Sequence, residues 1–175
     1  MTAQEALKTY FGYDSFRPGQ DTVVSALLSG RDALAIMPTG AGKSLCYQIP
    51  ALLLPGLTLV ISPLISLMKD QVMALQNAGI PAGCIHSAMS VEELREAYRD
   101  TRFGAYKILY IAPERLLTDG FCALAQELEI SLLAVDEAHC ISQWGQDFRP
   151  SYLKILDFLQ KLPRRPALAA FTATA

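Results

Sequence analysis

Apolar residues alternate along the chain between two patterns. Short, unbroken, β-rich apolar runs begin near Ala33, Leu57, Ala82, Lys107 and Ser131, and another near Ala167. The first five are about 25 residues apart, the spacing that strand–helix–strand units produce. The segments between them carry helix signals. Thr2 can cap a first helix, and Pro18 to Leu28 reads as a second. Leu45 to Leu54 is a helical run. Ser62-Pro63 predicts a cap and a first-turn proline ahead of a helix over Leu64 to Asn77, which Gly79 ends. Ser90 and Glu93 have the spacing of a capping box before Val91 to Arg102. Pro150 to Leu162 is amphipathic and is stopped by Pro163. Strands that are apolar throughout suit a mostly parallel central sheet with helices on both faces. The fold class is therefore α/β.

Composition narrows this further. The chain has 175 residues, room for one compact domain over 1–175. Hydrophobic residues are 51% and charged residues 18%, which excludes intrinsic disorder. The longest apolar runs, such as Ile49 to Leu54, are too short to span a membrane. Fifteen Lys and Arg against seventeen Asp and Glu give a net charge of −2, so any nucleic-acid face is a local patch. Cys46, Cys84, Cys122 and Cys140 are scattered without metal-site spacing and read as small hydrophobes. Residues Met1 to Tyr10 lack a signal-peptide core, which makes the cytoplasm the default location. Arg164-Arg165, between two prolines, reads as a solvated loop.

The sharpest chemical signal is Met37-Pro38-Thr39-Gly40-Ala41-Gly42-Lys43-Ser44. It follows the strand Ala33 to Ile36 and precedes a helix, the context of a phosphate-binding loop. Glycines let backbone N–H groups curl inward around phosphate oxygens, and the helix N-terminus faces the same anion. Lys43 can neutralise the terminal phosphates and the Ser44 hydroxyl can ligate Mg²⁺. Met37 stands where the strict pattern has glycine, so the match is to a variant. The second signal is Asp136-Glu137-Ala138-His139, delivered by the apolar run Ile130 to Val135. Two adjacent acids at the C-terminal end of a strand need a cation, which Mg²⁺ supplies. Asp136 is then the Mg²⁺ partner, direct or through water, and Glu137 polarises the attacking water. His139 is their neighbour; His86 reads as structural.

Several segments together resemble the first motor lobe of the RecQ family of DNA helicases, within helicase superfamily 2. Residues 11–20 (Phe11 to Gln20) resemble the adenine-reading motif of these motors, and Val60 to Gln71 the segment that tracks a DNA strand. Tyr110 to Leu116, the acidic box, and Thr172-Ala173-Thr174 are similar to further family motifs, the last linking hydrolysis to movement. Cys140 to Pro150 resembles the aromatic-rich loop that couples single-stranded DNA to hydrolysis. Gln146 stands where the family usually has histidine, and glutamine cannot carry charge near neutral pH.

The resemblance implies a RecA-like P-loop NTPase lobe using ATP and Mg²⁺. Tyr13 would stack on adenine while Arg17 and Gln20 read its edge. Thr39, Gly40, Ala41, Gly42, Lys43 and Ser44 would hold the phosphates, with Ser44 and Asp136 on Mg²⁺. Lys43, Asp136, Glu137 and His139 would serve catalysis. Gln143, Trp144, Phe148 and Arg149 would contact DNA and couple it to turnover; Trp144 and Phe148 offer faces on which bases stack. The implied activity is ATP-dependent 3′ to 5′ movement on single-stranded DNA and unwinding at duplex junctions, in repair or recombination. A second lobe would supply an arginine finger, so these 175 residues are expected to bind MgATP but not to unwind alone. An RNA helicase lobe of the same superfamily, and a nucleotide- or DNA-binding module with vestigial turnover, remain the alternatives.

Overall fold

The computed structural model describes residues 1–38, 40, 42–141 and 149–173. Thr39, Ala41, Gln143, Trp144, Gln146, Phe148 and Thr174 lie outside them. Six strands form one sheet: β1 (Ala33–Ile36), β2 (Leu57–Ile61), β3 (Ala82–Ile85), β4 (Ile108–Ile111), β5 (Ile130–Val135) and β6 (Ala167–Thr172). Their order is β1-β6-β5-β2-β4-β3 and every pairing is parallel. Seven α-helices connect or flank them among the described residues: α1 (Ala3–Phe11), α2 (Gln20–Leu28), α3 (Lys43–Leu53), α4 (Ile65–Asn77), α5 (Val91–Arg102), α6 (Asp119–Ala125) and α7 (Lys154–Lys161).

The pleat sorts the apolar side chains into two cores. On β2 and β4, Val60, Ile108 and Tyr110 join the core that includes Tyr47 of α3 and Met68 and Leu75 of α4. Their neighbours Leu59, Ile61, Leu109 and Ile111 join Ala97, Phe121 and Phe158 of α5, α6 and α7 on the other face. A third cluster, Ala6, Leu7, Val24 and Ile49, fastens α1 to α2 and α3. At the sheet's edge, Leu34 and Ile36 of β1 point to one face and are exposed, so cover on both faces does not extend to β1.

Local chemistry sets most boundaries. Thr2 and Glu5 form a capping box on α1, as do Ser90 and Glu93 on α5. Gly79, with φ +83°, closes α4: its N–H donates to Gln76 and that of Ile80 to Leu75. Two expectations are corrected. Ser62 does not cap α4: the helix begins at Ile65 behind Leu64, with no side-chain cap. Ser62 instead ends buried beside β2, and its hydroxyl has no partner among the described residues. Pro150 to Leu162 is a 3₁₀ turn, Pro150–Leu153, followed by α7. The helix α6 was not legible in the sequence: it has seven residues, contains Gly120, and its N-cap Thr118 makes no side-chain cap bond. Arg165 is exposed as expected, but it makes a two-pronged pair with Asp32 at 3.0 and 2.7 Å, tying the start of β1 to β6.

Candidate nucleotide site

The site lies along the C-terminal ends of β1, β5 and β6, where parallel α/β sheets bind ligands. β1 leads into the glycine loop, and Gly42 (φ +79°) turns the chain into α3 as its N-cap. Lys43 and Ser44 are therefore the first two residues of a helix, with its positive end behind them. β5 delivers Asp136, whose N–H still donates to Ile61 of β2 at 2.9 Å. Glu137 follows with φ +54°, the one non-glycine residue at positive φ among the described residues. Such a backbone is rare for a side chain with a Cβ, and it recurs where function fixes the chain.

These two ends meet. Lys43 Nζ stands 4.0 Å from Asp136 Oδ1 and 3.8 Å from Glu137 Oε1. Burial raises the Asp136 carboxyl above its ordinary value, and the Lys43 ammonium offsets that rise only in part. The acid pair thus draws on Lys43 for the cation that its setting demands. Asp136 is held from behind: the Tyr152 hydroxyl donates to its carbonyl oxygen at 2.8 Å, and the Glu137 N–H donates to its Oδ1 at 2.9 Å. His139 Nδ1 lies 3.4 Å from Glu137 Oε2 and 3.0 Å from the Thr172 hydroxyl. His139 therefore joins the acidic box to the end of β6. His86 sits just past β3, and its Nδ1 accepts from the Ala88 N–H at 3.2 Å, in keeping with a structural role.

A cavity of about 410 Å³ opens beside the loop, and Tyr13, Arg17, Gln20, Gly40, Gly42 and Ser44 line its mouth. Tyr13 is half exposed. Gln20 is buried; its Nε2 donates to the Gly42 carbonyl at 3.0 Å and its Oε1 accepts from the Arg17 N–H at 2.8 Å. The Arg17 guanidinium donates to the Gly40 carbonyl. Arg17 and Gln20 thus grip the phosphate loop from the outside, a contact the sequence did not reveal. A Cβ on Gly42 would collide with the Gln20 amide, so glycine is required there twice over.

The structure brings Tyr13, Arg17, Gln20, Gly40, Gly42 and Ser44 to one cavity, and Lys43, Asp136, Glu137 and His139 to one cluster. Thr39, Ala41, Gln143, Trp144 and Phe148 lie outside the described residues. Arg149 is exposed, and its N–H donates to the Cys140 carbonyl at 3.0 Å. The Ser44 hydroxyl and Asp136 carboxylate are hard oxygen donors. They fit Mg²⁺, which binds through one or two protein oxygens plus phosphates.

Residues 17–175 match the family model for the DEAD/DEAH box helicase. The chain belongs to the DEAD/DEAH box helicase family. Within this family it is 53% identical over 174 residues to the ATP-dependent DNA helicase RecQ of Bacillus subtilis, covering 99% of this chain and 29% of that protein. It is 51% identical to the RecQ of Haemophilus influenzae over 174 residues, covering 99% of this chain and 28% of that one. The chain therefore spans under a third of the length of these relatives. Among solved structures, the DUF1998 helicase MrfA superposes with a TM-score of 0.75 at 17% identity, over 98% of this chain and 29% of that one. That likeness shows the fold alone: the sheet and helices described above form a RecA-like α/β domain. No helix among the described residues is long and apolar enough to cross a membrane.

Proposed function

We propose that residues 1–175 are the ATP-binding first motor lobe of a DNA helicase that moves 3′ to 5′ along single-stranded DNA and opens duplexes at junctions. The observation that carries this is the meeting of Lys43, at the head of α3, with Asp136 and Glu137 at the end of β5. A lysine at a helix N-terminus beside two carboxylates is an arrangement that P-loop NTPases use, the lysine for the terminal phosphates and a carboxylate for Mg²⁺. The two RecQ relatives, named as ATP-dependent DNA helicases, support DNA as the strand. Work on chromosomal DNA would place the protein in the cytoplasm, at the nucleoid.

Each residue has a task under this reading. Lys43 leaves the carboxylates to take the terminal phosphates of ATP, guided by the dipole of α3. Ser44 and Asp136 would hold Mg²⁺, which when bound neutralises phosphate charge. Glu137, freed from Lys43, orients the attacking water and accepts its proton. His139 keeps Glu137 in place and reports its state to Thr172. Tyr13 offers its exposed face to the base. The second lobe, carried by the remainder of a longer chain, would supply the arginine finger.

The test is ATP turnover by the whole enzyme in the presence of DNA and RNA single strands of equal length. DNA should accelerate turnover and RNA should not. Acceleration by RNA alone would contradict the DNA assignment, and no turnover with either would contradict the enzymatic one.

A further inference from the structure

A polar cluster stands behind the phosphate loop, and two of its members, Gln48 and Gln71, line the inner part of the cavity described above. Gln48 lies one turn beyond Ser44 on α3, four residues on and therefore on the same side of the helix. Its side chain is 3% exposed. Gln48 Nε2 donates to Gln71 Oε1 of α4 at 3.0 Å and to the Tyr110 hydroxyl of β4 at 3.2 Å. The Tyr110 hydroxyl lies 2.9 Å from that of Tyr47, whose ring meets Phe171 edge-on at 5.6 Å. One amide on the phosphate-binding helix is thus bonded to α4, which begins within the segment that resembles a strand-tracking motif, and to β4, which leads into another segment resembling a family motif. α4 begins within Val60 to Gln71, and β4 runs straight into the turn Pro113–Arg115.

An apolar contact between helices can slide with little change in energy, but this one cannot. Both amide hydrogens of Gln48 are committed, and a buried donor that loses its acceptor is left unsatisfied. A shift of α3 as phosphate fills the loop must therefore carry Gln71 and Tyr110 with it, or break a part-buried bond to the one and a buried bond to the other. The same holds in reverse for a strand that displaces α4. We propose that the Gln48–Gln71 hydrogen bond, braced by Tyr110, is the positioning link through which nucleotide on the loop and DNA along α4 bias one another. The proposal rests on the DNA-motor function above and adds where in this lobe the two ligands are connected. Gln48 and Gln71 act through α3 and α4 and are positioning residues.

The test measures, in the whole enzyme, the factor by which a single-stranded oligothymidine tightens a non-hydrolysable ATP analogue. Each variant serves as its own reference without DNA, and thermal midpoints are recorded beside it. Gln48→Met and Gln71→Met keep the volume and remove the bond. Each should bring the factor close to one, and the double variant should lose no more than either single. Gln71→Glu retains an acceptor for Gln48 Nε2 and should keep most of the factor, which a mere packing role would not distinguish from Gln71→Met. A DNA-responsive parent whose single variants keep its full factor overturns the link alone. So does a double variant that loses the product of two independent effects, or a Gln71→Glu variant as uncoupled as Gln71→Met. A parent in which DNA leaves the analogue's affinity unchanged overturns the DNA-motor function and the link together.

Discussion

His139 Nδ1 lies 3.0 Å from the Thr172 hydroxyl, so the acidic box after β5 is bonded to the last residue of β6. The same nitrogen is 3.4 Å from Glu137, which makes His139 a bridge between that carboxylate and the neighbouring strand. Thr172 is 5% exposed, and valine would fill its space without the hydroxyl. Thr172→Val should slow ATP turnover about tenfold, the usual scale for losing a partner that orients a catalytic group. Affinity for a non-hydrolysable analogue should stay within twofold or so on the same grounds. Steady-state kinetics and analogue titration on one preparation separate the two; equal loss in both would contradict a role in orientation.

Glu137→Gln removes the proton acceptor while keeping the shape. With Lys43 also 4.0 Å from Asp136, the substituted site retains a carboxylate for the ammonium. Nucleotide binding should persist and single-turnover hydrolysis should fall by roughly 10² to 10⁴, the range for a general base. Hydrolysis at the parent's rate would show that some other group activates water.

Gly42→Ala strains a left-handed backbone, at a cost of about 1–2 kcal/mol, and drives the new methyl into Gln20. Because Gln20 holds both Gly42 and Arg17, the loop should lose its outer support. The variant should unfold at lower denaturant than the parent and bind the ATP analogue at least about tenfold more weakly, since strain and loss of the Gln20 bond add. Unchanged affinity in a folded variant would show that the Gln20 contact does not shape the loop.

How much of this was legible in the sequence depended on the range of the interaction. The cap at Thr2 and the capping box at Ser90 act within four residues and were read correctly, while the reciprocal bond from Glu5 that completes a box at Thr2 was seen only in the structure. The glycine stop at Gly79 was also read correctly. Ser62-Pro63 has the letters of a helix start, but β2 keeps Ser62 in the sheet layer, where its N–H donates to Ile111. Tertiary pairing overrode the local signal. The grip of Gln20 on Gly42 spans 22 positions, and that of Gln48 on Tyr110 spans 62. Neither follows from spacing, because both depend on which strands become neighbours. Leu34 and Ile36 read as ordinary core residues, yet they lie on an edge strand with one face open.

Asp32 offers a test of the sheet's edge by pH. Its hydrogen bonds from the Arg165 guanidinium and the Leu168 N–H hold its carboxyl below the usual range. A depressed folded-state value means the stabilisation is complete above the unfolded value of about 3.9 and fades as pH falls through the folded one. Both side chains are about half exposed, so screening limits the pair to about 1 kcal/mol or less. Asp32→Asn should therefore lower stability slightly and by a constant amount from neutrality to about pH 4, and the gap should close below that. Urea melts across this range check it; a gap that widens toward acid would reverse the sign of the pair's contribution.

Lys43 stands beside Asp136 and Glu137, and under the proposed function it turns from them to the phosphates of ATP. The most direct measurement is calorimetric titration of a non-hydrolysable ATP analogue with Mg²⁺ into this chain and into Lys43→Ala. The parent should bind, and the variant should bind at least about 100-fold more weakly, as expected for a charge-assisted contact to phosphate. Equal binding by the two would contradict the assignment of the loop, and with it the function proposed for the lobe.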